Sequence, residues 1–264
     1  MGILNVTPDS FSDGGKFDSM DAAVRRAESM IAEGADIIDI GGESTRPGSV
    51  RVSIEEEISR VVPAIKAIKD RFDIPLSIDT SKSEVAEAAV DVGAEIINDI
   101  SGLRFDARIA DIAATRGTGL VLMHSRGEFE TLHSQPPVES VIDEVVSDFH
   151  RSTVLAEKAG VRREQIVLDV GIGFGKTPEQ NLELIAKLGK FVTEFERFPM
   201  LVGASRKSFI GKLLNLPDSA GRVAGSLAVA AIARWNGALI FRVHDVRETV
   251  EVVKTTSALK KRAN

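Results

Sequence analysis

The chain of 264 residues contains no cysteine, which excludes disulfides, thiol catalysis and cysteine-type zinc sites. It has no apolar run near the roughly 20 residues that cross a bilayer, so no membrane partner is expected. Its start shows no basic region followed by an apolar signal segment, because a polar loop begins by Asn5; the cytoplasm is the expected address. A basic block is missing too. With 33 Lys and Arg against 39 Asp and Glu, the formal charge is -6 and both signs are spread along the sequence, which argues against a nucleic-acid partner. The four histidines, His124, His133, His150 and His244, lack the close pairing of a zinc site, so a hard metal held by Asn and Asp oxygens is the better expectation. What is present is a hydrophobic content of 43% in a length that α/β barrels commonly reach undivided, which predicts one domain over residues 1–264.

One local pattern recurs along the chain: four or five apolar residues, a polar side chain ending the run, a glycine-rich loop, then an amphipathic helix. Strands are predicted at residues 1–4, 37–40, 76–79, 96–98, 120–123, 166–169, 200–203 and 239–243. Most are too continuously apolar to alternate, as parallel strands buried on both faces are. Helical spacing covers residues 21–33, 108–115, 141–159 and 206–235. Further helices are predicted from a Ser53/Glu56 capping box to about Phe72, and from a Ser81/Glu84 box to just before Gly93. Two more start at Thr177 with Pro178 and Gln180, and at an Asp245/Glu248 cap. Three helix-to-strand joints share a glycine followed by alanine, at Gly34, Gly93 and Gly237, where glycine can take the left-handed conformation that ends a helix. Eight strands alternating with eight helices predict a single α/β (β/α)8 TIM barrel, with an open doubly wound sheet as the alternative.

In such a barrel the active face lies at the C-terminal ends of the strands. The residues read there are Asn5, Asp39, Asp79, Asn98, His124, Asp169, Lys207, Arg242 and His244, whereas Asp99 and Asp245 read as structural. A lone aspartate at such a place often only caps a turn. So many polar strand ends together are not explained that way. Arg242 and His244, spaced i and i+2, share one face of strand eight, and with Arg46 after a Gly-Gly turn they suit a phosphate. Arg242 lies in an apolar strand, where burial without an anion would be costly. Residues 205–208 (SRKS) put cations at a helix start, against the macrodipole unless an anion intervenes, so a second anion site is predicted there; side chains pointing into water are the alternative. The turn at residues 171–177 (GIGFGKT) fails both nucleotide templates, since Val170 and Lys176 stand where glycines are needed. Phe174, between glycines, is expected to be a lid or stacking surface. The loops at residues 6–17 and 43–53 have few evident anchors and are expected to close over ligand.

Together these segments resemble the dihydropteroate synthases, folate-pathway enzymes of the pterin-binding barrel family. Residues 2–15 (GILNVTPDSFSDGG) and 41–48 (GGESTRPG) are similar to the family's two signature segments, residues 205–208 and 242–244 (RVH) are similar to its last two anion-binding stretches, and the resemblance runs from residue 1 to about 255. It implies a transferase in which p-aminobenzoate attacks the methylene of 7,8-dihydropterin-6-ylmethyl diphosphate, giving 7,8-dihydropteroate and diphosphate, with Mg2+ as cofactor and a homodimer as the assembly. Carried over residue by residue, it gives Asp79, Asn98, Asp169 and Lys207 to the pterin edge, with Met123 packed on the ring. Asn5, Thr45, Arg46, Arg242 and His244 would hold diphosphate, with Asn5 and Asp13 near the Mg2+. Lys207 and Ser208 at the helix start would take the carboxylate of p-aminobenzoate, with Phe11, Pro47 and Phe174 around its ring. Asp79, Asp169, Lys207, Arg242 and His244 would carry the catalysis. Two departures stand out. Val170 replaces the family's usual proline, leaving the backbone less constrained, and the sequence begins directly in strand one, where the family usually has a short segment at the barrel's base. A methyl-transferring pterin enzyme of the same superfamily and a non-catalytic pterin-binding homologue are the competing readings. The first of these has no use for Arg46, Arg242 and His244 as phosphate ligands.

Overall fold

The computed structural model describes residues 1–7, 16–46 and 48–263. Its eight strands are all parallel and hydrogen-bonded in chain order: β1 Gly2–Asn5, β2 Ile38–Gly41, β3 Leu76–Asp79, β4 Ile96–Asp99, β5 Gly119–Met123, β6 Ile166–Asp169, β7 Met200–Val202 and β8 Ile240–Phe241. The ring closes through a parallel bridge between Gly2 and Val243, where Ile3 N donates to Val243 O at 3.0 Å and Val243 N to Met1 O at 3.0 Å. Closure rules out the open sheet and makes this the expected TIM barrel.

Period-two alternation along each short strand sends one set of side chains inward and the other toward the helices. The outward set includes Ile38, Ile40, Leu76, Ile78, Ile97, Leu120, Leu122 and Leu168, all fully buried in one continuous core. Around the strands run α1 Lys16–Ala32, α2 Ile54–Lys69, α3 Ser83–Asp91, α4 Arg108–Arg116, α5 Val141–Lys158, α6 Pro178–Ala186, α7 Leu188–Glu194, α8 Ser208–Leu214, α9 Val223–Trp235 and α10 Val246–Ala263. Val61, Ile65 and Ile68 of α2 show the cause of the arrangement: an apolar stripe at helical spacing that is buried completely against the sheet. The predicted glycine joints hold, with φ of 98°, 114° and 108° at Gly34, Gly93 and Gly237.

Local signals set some boundaries and not others. The Thr177/Gln180 box forms in full and Ser53 caps α2. The Ser81/Glu84 box does not form: α3 begins at Ser83, whose N–H donates to Asp106 Oδ2 at 3.0 Å. The predicted helix over residues 206–235 is broken into α8 and α9, because Asn215 adopts a left-handed φ of 55° and Pro217 follows. Asp245 spends its carboxylate on the Arg206 guanidinium rather than on capping α10.

Candidate active site at the barrel mouth

Register lines up the polar strand ends. Asn5 pairs with Gly41, Gly41 with Asp79, and Asp79 with Asn98, so their side chains all turn into the barrel at its mouth. A Cβ built on Gly41 would lie 3.6 Å from Asn5 Oδ1 and 3.7 Å from Asp79 Oδ2, so these two groups approach each other across bare backbone. Asp39 is not at a strand end, because β2 runs on two residues further to Gly41, and it is fully buried. Its Oδ2 accepts from Asn98 Nδ2 at 3.3 Å and from Arg242 Nε at 2.6 Å, while Arg242 Nη2 donates to Asp79 Oδ2 at 2.6 Å. The expectation that Arg242 needs an outside anion is thereby corrected, since two aspartates from neighbouring strands supply the charge. Burial pushes the Asp79 carboxyl up to about 7, opposed by Arg242 and reinforced by Asp39.

Asp169 ends β6, level with Met123 of β5. Its Oδ1 accepts from Gly171 N at 2.8 Å, and burial raises its pKa against the pull of Lys207. The Lys207 ammonium donates to Ile172 O and sits 4.4 Å above the centre of the Phe174 ring, a cation–π contact. Burial lowers its pKa to about 8, opposed by Asp169. Phe174 is buried in a small cluster with Ile100, Met123, Phe129 and Leu132, so of the expected lid or stacking surface it is the second: its ring lies under Lys207 and beside His133 at 5.8 Å. Each carbonyl from Gly171 to Gly175 faces a cation or histidine. Lys176 Nζ serves Gly171 at 2.8 Å and Phe174 at 3.1 Å, Lys207 serves Ile172, His133 Nδ1 lies 3.2 Å from Gly173 O, and Arg126 Nη1 donates to Gly175 O at 2.8 Å.

The cationic side of the mouth is built by the end of β8 and two loops. Ser205 Oγ accepts from His244 N at 3.2 Å and lies 3.1 Å from His244 Nδ1, so one hydroxyl holds both the backbone and the ring of His244. His244 joins this side as a neutral ring: burial, then Arg242 and Arg206, lower its pKa to about 4. Thr45 is reached through its carbonyl by His133 Nε2 at 2.7 Å, and Arg46 is exposed on the same loop, near enough to depress His244. Arg206, expected to face an anion with Lys207, pairs with Asp245 instead and holds a left-handed φ of 57°. That strained residue redirects the chain so that Lys207 turns toward Phe174. Ser208 is exposed as the first residue of α8, whose preceding residue provides no side-chain cap. Phe11, Asp13 and Pro47 lie outside the described residues.

This geometry is matched by known proteins along the whole chain. A family model described as pterin binding enzyme covers residues 1–244. The dihydropteroate synthase of Clostridium beijerinckii is 50% identical over 263 residues, spanning 99% of this chain and 94% of that protein. The chain belongs to the dihydropteroate synthase family. Among solved structures, a dihydropteroate synthase from Clostridium difficile in the presence of pteroic acid superposes with a TM-score of 0.92 at 42% identity, covering 98% of this chain and 95% of that one. The Xanthomonas albilineans dihydropteroate synthase with 4-aminobenzoic acid gives a TM-score of 0.91 at 42% identity, covering 98% and 92%.

As a dihydropteroate synthase family member the chain departs at Val170, yet the backbone there is not loose. Val170 is fully buried, and the next residue is fixed by Asp169 Oδ1 on one side and Lys176 Nζ on the other. Sequence reasoning placed Asp39 at the active face without its pairing to Arg242, and missed the roles of Lys176 and His133. Asp39 and His133 act on partners distant in the chain, whereas Lys176, a cation inside a glycine turn, serves carbonyls five and two residues away.

Proposed function

We propose that the chain joins p-aminobenzoate to the methylene carbon of 7,8-dihydropterin-6-ylmethyl diphosphate: the amine nitrogen forms the new C–N bond, the C–O bond to diphosphate breaks, and the amine proton is lost. The observation that carries this is the gathering at one barrel mouth of Asp79, Asn98 and Asp169 with the cations Arg242, Lys207 and Arg46, in a chain half identical to a dihydropteroate synthase. Asp79, Asn98 and Asp169 suit the paired donors and acceptors of a pterin edge. Arg242, Arg46, Thr45 and the His244 ring suit a leaving diphosphate, whose growing charge they would stabilise. Lys207 and Phe174, already stacked, bound the space assigned to p-aminobenzoate, with the exposed Ser208 at the helix start for its carboxylate.

Among the described residues no group of three or more His, Asp or Glu side chains converges to hold a metal. Asn5 offers one hard oxygen beside Asp79, which fits a magnesium ion that takes its other ligands from substrate phosphates and water. Such an ion would act as a Lewis acid on the leaving oxygens. For assembly we propose a homodimer through α9 and α10. These helices pack on each other yet leave Ile232, Trp235 and Leu259 45–60% exposed, with Leu239 beside them at 60%.

The reading is tested by mixing the chain with both substrates and following dihydropteroate by absorbance and chromatography. Formation of dihydropteroate that depends on p-aminobenzoate is expected. Transfer of a methyl group from a methylated pterin, with no dihydropteroate formed, would favour the methyl-transferring reading and contradict this one.

A further inference from the structure

The loop at residues 43–52 carries Thr45 and Arg46, and its sequence promised few anchors. Its neck is nevertheless closed by one side chain from another strand's loop. Lys82, a buried residue, donates from Nζ to Glu43 Oε1 at 2.8 Å, to Val52 O at 2.8 Å and to Glu57 Oε2 of α2 at 2.6 Å. Glu43 and Val52 stand at the two ends of the excursion, and Glu43 Oε1 also accepts from Val52 N at 2.7 Å. The ends are thus joined twice, once directly and once through the ammonium. Gly42 makes room for the arrangement, since a Cβ there would lie 2.7 Å from Val61 Cγ1 and 3.1 Å from Glu57 Cγ. A lighter tie follows at Arg51, whose Nη2 reaches Ser81 Oγ at 3.4 Å and whose guanidinium lies 5.1 Å from the centre of the Phe129 ring.

Lys82 follows Asp79 by three residues, and its extended backbone, φ -121° and ψ 124°, is what delays α3 to Ser83. Burying one ammonium against two carboxylates carries a desolvation cost that an apolar side chain of similar length would avoid. What an apolar chain cannot do is fix three acceptors from two segments at once. The charge is therefore explained by geometry, not by packing.

We infer that Lys82 is a positioning residue for the diphosphate half of the substrate: it closes the neck of the loop at residues 43–52, presents Thr45 and Arg46 at the barrel mouth, and ties that loop to the strand that carries Asp79. This rests on the reading of Thr45 and Arg46 as diphosphate ligands. Of the pterin-facing groups, Asn98 of β4 and Asp169 of β6 are not attached to the clamp and only Asp79 lies near it, so a defect in Lys82 falls more heavily on the diphosphate half of the substrate than on the pterin.

The test is calorimetry on the full chain with two probes, 7,8-dihydropterin-6-ylmethyl diphosphate and 6-hydroxymethyl-7,8-dihydropterin, which lacks the diphosphate. In Lys82→Met the diphosphate probe should weaken roughly 10-fold or more, the scale of a lost charged hydrogen bond, and the alcohol less than about 2-fold. Glu43→Gln, which keeps the shape and removes the charge, should show the same selectivity at about 3-fold, and it decides the matter if Lys82→Met does not fold. Equal weakening of both probes, or no weakening of the diphosphate probe in a folded variant, overturns the clamp. A wild-type chain that fails to prefer the diphosphate probe overturns the loop's assigned ligand and the clamp together; a wild type that does prefer it, with unselective variants, overturns the clamp alone.

Discussion

Arg242 sets the charge balance of the mouth. It faces Asp39, which is 0% exposed and whose Oδ1 has no hydrogen-bond partner among the described residues, so removing the guanidinium would leave a buried carboxylate without its cation. Arg242→Ala should therefore lose about 3 to 5 kcal/mol of unfolding free energy in urea titrations, and Asp39→Asn added to it should restore part of that loss. Equal stability of the single and double variants would contradict the pairing. His244 makes a pH prediction whose sign is fixed by its lowered pKa of about 4 against an ordinary value of 6.5. The unfolded chain takes up the proton first, so the neutral ring's contribution is fully present above about pH 6.5 and is lost as pH falls toward 4, by at most about 1.4 kcal/mol per pH unit. His244→Gln should flatten the dependence of stability on pH across that window, and an unchanged slope would place the titration elsewhere. The sequence pointed to both residues because they end an apolar strand with polar side chains. It could not show the pairing of Arg242, whose partners lie 203 and 163 residues away, or the neutrality of His244, which depends on burial and on surrounding arginines.

At the scale of elements, two glycines of similar backbone conformation should respond differently to alanine. Gly48 has φ 81° and open space around a built Cβ, so Gly48→Ala carries backbone strain alone, about 1 kcal/mol. Gly171 has φ 65° and a built Cβ falls 1.8 Å from His124 O, so Gly171→Ala must displace β5 or the turn that holds Phe174. Its loss in thermal unfolding should be several times that of Gly48→Ala and should come with weaker p-aminobenzoate binding. Similar losses at the two sites would show that the turn yields easily. Capping is legible when it is local: the Thr177/Gln180 box forms between side chains three residues apart, with Pro178 already holding the first turn. The Ser81/Glu84 box failed because Lys82, between them, is drawn to Glu43 and Glu57. The break between α8 and α9 has its local sign in Pro217, which cannot continue a helix.

For the molecule as a whole, the barrel was legible because a strand buried on both faces has a plain signature, and eight such strands leave few topologies open. The assembly surface was not legible, since the exposed positions of α9 look like core until the helix is seen to bury only Ala230 and Ala233. Ile232→Asp should shift the chain from dimer to monomer in sedimentation experiments, and a monomeric wild type would remove the proposal. The central claim is that one mouth holds both substrates and expels diphosphate as the C–N bond forms. It is tested most directly by counting products in a single turnover with the chain in excess over the pterin diphosphate. One diphosphate released for each dihydropteroate formed, with neither product accumulating without p-aminobenzoate beyond slow loss of diphosphate, is the predicted result; diphosphate release at the same rate and extent whether or not p-aminobenzoate is present, with no dihydropteroate, would contradict it.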